Sequence, residues 1–179
     1  MARPLAEKMR PRKLELLVGQ EHLLAHDAPL GRMLGERRAS SMILWGPPGS
    51  GKTTLAKIIA EHVNMNFEPL SAVFSGVSDL RKVFDKAVER KKMGEETLLF
   101  VDEIHRFNRA QQDSFLPFVE DGTVVLVGAT TENPSFELNS ALLSRCKVFI
   151  LQKIARVGLE NLVKRAEELE GKELPLKPR

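Results

Sequence analysis

Four short apolar runs punctuate the chain, at Met42 to Trp45, Thr97 to Val101, Val124 to Ala129 and Val148 to Leu151. Each is rich in β-branched or large side chains and has no alternating polar face, the pattern of a strand buried on both sides in a parallel sheet. Between the runs, apolar positions recur with helical spacing over Lys52 to Val63, Ser78 to Met93, Arg109 to Val119 and Leu138 to Leu143. Strands alternating with helices predict an open α/β sheet. A fifth strand is expected at Phe67 to Ser71, and Pro69 inside it predicts an edge or a bulge, because proline cannot donate to a ladder. Pro117 predicts that the third helical stretch kinks or ends early. From Val157 onward Leu159, Leu162, Val163, Ala166 and Leu169 follow helical spacing, Glu160, Lys164, Arg165, Glu167 and Glu168 cover the opposite face, and Gly171 is the expected stop. Nothing in the short, charged run Lys172 to Arg179 could complete another domain, so the chain is expected to be truncated.

Composition narrows the class. A chain of 179 residues suits one domain and can bury about 70% of its unfolded surface. Hydrophobic residues at 42% and charged residues at 28% are ordinary for a soluble globular protein. Cys146 is alone, so no internal disulfide can form, and no Cys and His set has metal-ligand spacing; a reducing, cytoplasmic setting is expected. The basic residues Arg3, Lys8, Arg10, Arg12 and Lys13 are not followed by an apolar stretch, and no run of about 18 apolar residues exists. Neither a signal peptide nor a membrane span is expected. A net charge of +3 permits an anionic partner without requiring one.

The first chemical motif is Gly46-Pro47-Pro48-Gly49-Ser50-Gly51-Lys52-Thr53, which fits G-x-x-x-x-G-K-[ST] between a predicted strand and a predicted helix. Its glycines let successive backbone N–H groups converge on phosphate oxygens, and the helix N-terminus adds partial positive charge. Lys52 is expected to reach the β and γ phosphates and the Thr53 hydroxyl to ligate Mg²⁺, with Thr54 completing the nucleotide-contacting set. A chance match has a frequency on the order of one in a few hundred in a chain of ordinary composition. The second motif is Leu98-Leu99-Phe100-Val101-Asp102-Glu103, an apolar strand delivering two carboxylates at its carboxyl end, where open α/β sheets bind ligands. Asp102 is expected to hold Mg²⁺, mostly through water, and Glu103 to polarise an attacking water. Together the motifs predict an ATPase with ATP and Mg²⁺ as its cofactors.

Beyond the third major strand come Gly128-Ala129-Thr130-Thr131-Glu132-Asn133-Pro134 and Leu142-Leu143-Ser144-Arg145-Cys146. Here the chain resembles AAA+ ATPases of the clamp-loader branch. The resemblance implies a γ-phosphate sensor at Thr131, with Asn133 as alternate, and an arginine, Arg145, offered to the ATP of a neighbouring subunit. It also implies that the segment Val18-Gly19-Gln20, preceded by Arg10-Pro11, packs on adenine, with Val18 and Gly19 as the contacting residues. Over about residues 4–152 the chain is most similar to the replication-associated recombination protein A family, related to the Werner helicase-interacting ATPase. Ser41 to Gly49, Val101 to Asn108 and above all Thr130 to Ser140 carry that similarity. The implied fold is a P-loop AAA+ core with an open parallel five-stranded sheet flanked by helices. The implied parts are an N-terminal arm and adenine-side segment over 1–25, the core over 26–152, and the start of a helical lid with a truncated tail over 153–179. The implied activity is a DNA-dependent ATPase in replication-fork maintenance, weak in a chain without most of its lid. Implied partners are DNA forks, junctions or single-strand ends and single-strand binding protein, with a homo-oligomer for the full-length protein and a monomer possible for this fragment.

Two readings remain beside it. Phe74-Ser75-Gly76 falls where protein-unfolding rings carry an aromatic pore loop, which leaves a protein-remodelling or clamp-loader-type subunit as the alternative function. Arg81, Lys82, Lys86, Arg90, Lys91 and Lys92 on the second helix fit either a track for a DNA backbone or a solvated face with cations suited to a helix C-terminus. His105 is read as a structural hydrogen-bonder, and Trp45 and Cys146 as packing residues.

Overall fold

The computed structural model of the chain describes residues 4–11 and 13–174. Arg3 and Arg12 of the basic N-terminal run, and residues 175–179 of the tail, lie outside the described residues. The helices are α1 (Leu5–Lys8), α2 (Glu21–Leu24), α3 (Pro29–Gly35), α4 (Lys52–His62), α5 (Val77–Lys92), α6 (Arg109–Asp113), α7 (Leu116–Glu120), α8 (Pro134–Glu137), α9 (Ser140–Leu143) and α10 (Arg156–Glu170). The strands are β1 (Met42–Trp45), β2 (Asn66–Ser71), β3 (Thr97–Asp102), β4 (Val125–Thr130) and β5 (Lys147–Ile150). They form one parallel sheet in the order β2-β3-β4-β1-β5.

Alternate side chains along each strand enter opposite cores, because successive Cβ atoms leave a strand on opposite faces. Leu44, Leu98 and Phe100 pack with Leu55 and Ile59 of α4. Ile43, Leu99 and Val101 pack with Phe84 of α5, Phe115 and Leu142. Both faces of the sheet are covered along β1, β3 and β4, which is why those strands read as continuous apolar runs; β5 departs from that expectation, because at the sheet edge it leaves Val148 and Ile150 exposed and buries Phe149. The proline-bearing strand β2 lies at the sheet edge and pairs only with β3, where a missing donor costs no ladder bond.

Two helical stretches are divided where the sequence pattern suggests continuity. The stretch from Arg109 to Val119 is α6 and α7 rather than one helix, and Pro117 sits in the first turn of α7, where its missing N–H costs nothing. The stretch from Leu138 to Leu143 is also not one helix: Leu138 is extended after α8, and Asn139 caps α9 by accepting from the Leu142 N–H at 2.7 Å. Helix α10 ends at Gly171, as its pattern predicts. Its last turn is tied to α1 by an ion pair between Lys8 and Glu170 at 2.9 Å. None of the described helices is long and apolar enough to cross a membrane.

Candidate functional site

The carboxyl ends of β1, β3 and β4 deliver the two motifs to one place. Strand β1 runs into Gly46, whose N–H donates to Thr130 O at the end of β4 (3.1 Å). The loop then turns through Gly49 (φ 74°) and Gly51 (φ 97°), left-handed conformations that a Cβ would oppose. Gly51 caps α4, which begins at Lys52. The Lys52 ammonium donates to Gly46 O (2.8 Å), Pro47 O (2.9 Å) and Ser50 Oγ (3.4 Å). Burial pushes its pKa below the usual lysine value, against the opposing charges of Glu103 and Asp102. A phosphate oxygen placed beside it would offset that desolvation.

Asp102 closes β3, and the chain turns at once through Glu103, held at φ 52° and ψ 45°. A non-glycine residue in this left-handed region costs about 1–2 kcal/mol, and such strain is tolerated where the surroundings hold it. Here a short 3-10 turn over Ile104–Arg106 follows, with Ile104 fully buried. The Glu103 carboxylate oxygen Oε2 lies 3.3 Å from His105 Nε2 and 3.5 Å from Thr131 Oγ1.

These groups line a polar cavity of about 340 Å³ formed by Arg10, Pro48, Gly49, Gly51, Lys52, Thr53, Thr54, Asp102, Glu103 and Thr131. A second, mostly apolar cavity of about 380 Å³ shares Arg10, Gly49, Gly51 and Thr54 with it and adds Met9, Pro11, Leu16, Leu17, Val18, Ser50, Ile154 and Leu162. The pair has the layout a nucleotide needs, with an apolar compartment for a flat base beside a polar one for phosphates. Val18 lines the apolar compartment, whereas Gly19 does not and instead forms a turn with its N–H on Glu21 Oε1 (3.0 Å). Helix α10 closes over Val18 because Gly158 has no side chain: a Cβ there would stand 2.7 Å from Val18 Cγ1.

Thr53 and Asp102 bring a hydroxyl and a carboxylate to the polar cavity, hard oxygen donors of the kind Mg²⁺ takes. Among the described residues no group of three His, Cys, Asp or Glu side chains could hold a metal by itself.

Other predicted residues fall elsewhere. Asn133 spends its Oδ1 on the Ser135 N–H at the start of α8 (3.0 Å) and does not line the polar cavity, unlike Thr131. Arg145 lies outside the cavity of its own chain: its Nε donates to Glu120 Oε1 at 2.6 Å, Nη2 is also paired with Glu120, and Nη1 donates to Ala141 O at 2.7 Å. On α5, Lys86 and Arg90 bridge Glu68 (2.8 and 2.9 Å), Lys91 donates to Asp121 O and Lys92 to Glu89. Only Arg81 and Lys82 of that row are without an ion-pair partner among the described residues.

The sequence places Gln20 in the adenine-side segment without showing its bonds, and it misses Glu120, Ile154 and Leu162 as contributors. Gln20, fully buried, donates to Ser50 O (3.0 Å) and Gln152 O (2.7 Å) and accepts from Gln152 N (3.0 Å), clamping the phosphate loop to the start of the α10 segment. Glu120 holds Arg145. Ile154 and Leu162 complete the apolar compartment. Leu162 shows in the sequence only as an apolar position of the last helix, and no local periodicity marks Glu120 or Ile154.

The profile of the "ATPase family associated with various cellular activities (AAA)" matches residues 42–154. Replication-associated recombination protein A of Escherichia coli (strain K12) is 53% identical over 165 residues, covering 92% of this chain and 37% of that protein. ATPase WRNIP1 of Dictyostelium discoideum is 53% identical over 166 residues, 93% of this chain and 19% of that protein. Among solved structures, the RuvB Holliday junction branch migration motor of Thermotoga maritima superposes with a TM-score of 0.73 at 32% identity, covering 91% of this chain and 55% of that one. The chain thus spans little more than a third of the bacterial relative and less of the Dictyostelium one.

Proposed function

Since the chain belongs to the AAA family of ATPases, we propose that it is the ATP-binding and ATP-hydrolysing core of a DNA-dependent ATPase that acts in replication-fork maintenance and recombination. The observation that carries this reading is the convergence of Lys52, Thr53, Asp102, Glu103 and Thr131 on one polar cavity beside an apolar one. In the proposed reaction ATP lies with its base near Val18, Ile154 and Leu162 and its β and γ phosphates on the loop amides and Lys52. Thr53 and Asp102 would hold Mg²⁺, which would supply positive charge against the phosphates. Glu103 orients a water whose oxygen attacks the γ-phosphorus and accepts a proton from it. The bond from phosphorus to the bridging oxygen breaks, and ADP leaves with the electron pair. Thr131 donates to a γ-phosphate oxygen. Arg145 serves the site of a neighbouring copy, a role supported by its position outside its own cavity, and it must leave Glu120 to do so.

The DNA part of the proposal is supported by the names of the relatives, which concern replication, recombination and a Holliday junction motor. Single-strand binding protein and a homo-oligomer for the longer protein belong to the same proposal, as does the division into an arm (1–25), a core (26–152) and a lid start (153–179). One observation favours protein remodelling instead: Phe74, in the loop after β2, is 89% exposed beside the half-exposed Val73. Measuring ATP hydrolysis with forked DNA and with an unfolded protein separates the two readings. Acceleration by the fork is expected, and acceleration only by the unfolded protein would replace the first reading with the second.

A further inference from the structure

His105 does not line the polar cavity, yet its side chain is only 8% exposed and both ring nitrogens are engaged. Nδ1 lies 2.8 Å from Thr130 Oγ1, and Nε2 lies 3.3 Å from Glu103 Oε2. Thr130 is fully buried; its Oγ1 accepts from the Glu132 N–H at 3.0 Å, and its one hydrogen has Glu132 O at 3.2 Å as a second acceptor, farther away than His105 Nδ1. A ring whose only hydrogen sat on Nδ1 would turn a lone pair onto the Glu103 carboxylate. A hydrogen on Nε2 replaces that repulsion by a charge-assisted bond, and in the neutral ring the Thr130 hydroxyl then donates to Nδ1.

The second contact on the carboxylate, from Thr131 Oγ1 at 3.5 Å, falls on the same oxygen. Among the described residues Oε1 has no side-chain or backbone donor within hydrogen-bond reach. A glutamate has three side-chain torsions to fix, and free rotation would spread its carboxylate over many positions. Without nucleotide both donors hold Oε2, and once the single Thr131 hydroxyl hydrogen turns to a γ-phosphate oxygen, His105 is the donor left to define where Oε1 stands. Thr130 and Thr131 are adjacent, so a shift at the end of β4 moves both supports together.

We propose that His105 is a positioning residue for hydrolysis: its Nε2–H, with the ring fixed by Thr130, holds Oε2 of Glu103 and thereby aims Oε1 at the attacking water. This rests on the reading of Glu103 as the group that orients that water. His105 touches neither phosphate nor water and acts through Glu103 alone.

The test compares kcat and MgATP affinity for the parent chain, His105→Ala, His105→Gln, Thr130→Val and Glu103→Gln, together with the ¹⁵N imidazole spectrum of the parent without nucleotide. His105→Ala is expected to lower kcat by about 10²-fold, the scale of a displaced catalytic group, with MgATP affinity unchanged. Unchanged affinity also certifies the fold. His105→Gln can present an amide N–H toward the carboxylate and is expected to recover part of the loss, and Thr130→Val to show a smaller fall in kcat alone. The spectrum is expected to show a hydrogen on Nε2.

A parental kcat in His105→Ala while Glu103→Gln is inactive overturns the proposal and leaves the role of Glu103 standing. So does a fall in kcat matched by an equal loss of affinity, which would mark His105 as structural. Parental turnover in Glu103→Gln overturns the role of Glu103 and this one with it. If His105→Ala does not fold, Thr130→Val and the spectrum decide, and a hydrogen on Nδ1 alone overturns the assignment.

Discussion

Lys52 is 8% exposed, and burial holds its ammonium below the usual lysine range although Glu103 and Asp102 pull the other way. Its two backbone acceptors, Gly46 O and Pro47 O, keep it aimed along the phosphate loop. Lys52→Ala removes the fixed cation against the β and γ oxygens, so MgATP affinity and turnover are expected to fall together; wild-type affinity by calorimetry would remove Lys52 from the site. Cys146, half-buried against the core, shows desolvation acting on a group with no such task. Desolvation pushes its thiol from 9.0 up to about 12. At pH 8 only about one thiol in ten thousand is then thiolate, the reactive form. Alkylation of the folded chain at that pH is expected to be negligible and to become rapid on unfolding. The folded pKa is raised, so this thiol's contribution to stability is complete below pH 9 and declines as pH rises from there toward 12. Prompt labelling of the folded chain would contradict the burial.

The loop from β1 to α4 and the turn after β3 are each local in sequence, and both are legible from the residues alone. Glycine spacing, a following helix and an apolar strand ending in two carboxylates are contiguous signals. The strands are legible for a related reason: residues buried on both faces leave no polar alternation, and Ile43 enters one core while Leu44 enters the other. What stays hidden depends on partners far apart in the chain. Gln20 finds Gln152 across 132 positions, and His105 finds Thr130 across 25. The helix break at Leu138 is hidden because an asparagine cap overrides apolar spacing, whereas the division of Arg109 to Val119 is signalled by Pro117, which opens α7. Helix α5 shows how an element changes a reading based on charge. Burial alone would raise the Glu68 pKa, but its bonds with Lys86 and Arg90 hold it below the usual carboxylate value. A depressed folded pKa stabilises above the unfolded value, and that stability is lost as pH falls through the folded one. Arg90→Ala is therefore expected to cost about 1.5–3 kcal/mol, the scale of a hydrogen bond to a charged group. The cost should be largest near neutral pH and shrink in acid, while DNA affinity is little changed. Thermal unfolding at two pH values checks the first part, and a large loss of DNA affinity at unchanged stability would restore α5 as a DNA track.

For the molecule as a whole, the arrangement of Arg145 separates a self-contained enzyme from one completed by a neighbour. Its guanidinium is held by Glu120 and Ala141 on its own chain, away from its own cavity. An arginine on the developing transition-state charge is worth about 10³–10⁵ in rate, whereas an exposed ion pair contributes about 1 kcal/mol or less. In the full-length protein Arg145→Ala is expected to bind ATP and turn it over at least about 10³-fold more slowly. Mixing it with Lys52→Ala should recover activity in shared assemblies, because each supplies what the other lacks. No recovery despite demonstrated subunit exchange would return Arg145 to its pairing with Glu120 alone.

The central claim is that the cavity formed by Lys52, Thr53, Asp102, Glu103 and Thr131 hydrolyses ATP with Glu103 orienting the water. Phosphate release from MgATP by the parent chain and by Glu103→Gln tests it most directly, with nucleotide binding followed in the same samples. The side chain keeps its size and loses its charge and its ability to take a proton. The variant is expected to bind MgATP as tightly as the parent and to release no phosphate above the uncatalysed rate. Phosphate release at the parent rate from a variant that binds MgATP normally would contradict it.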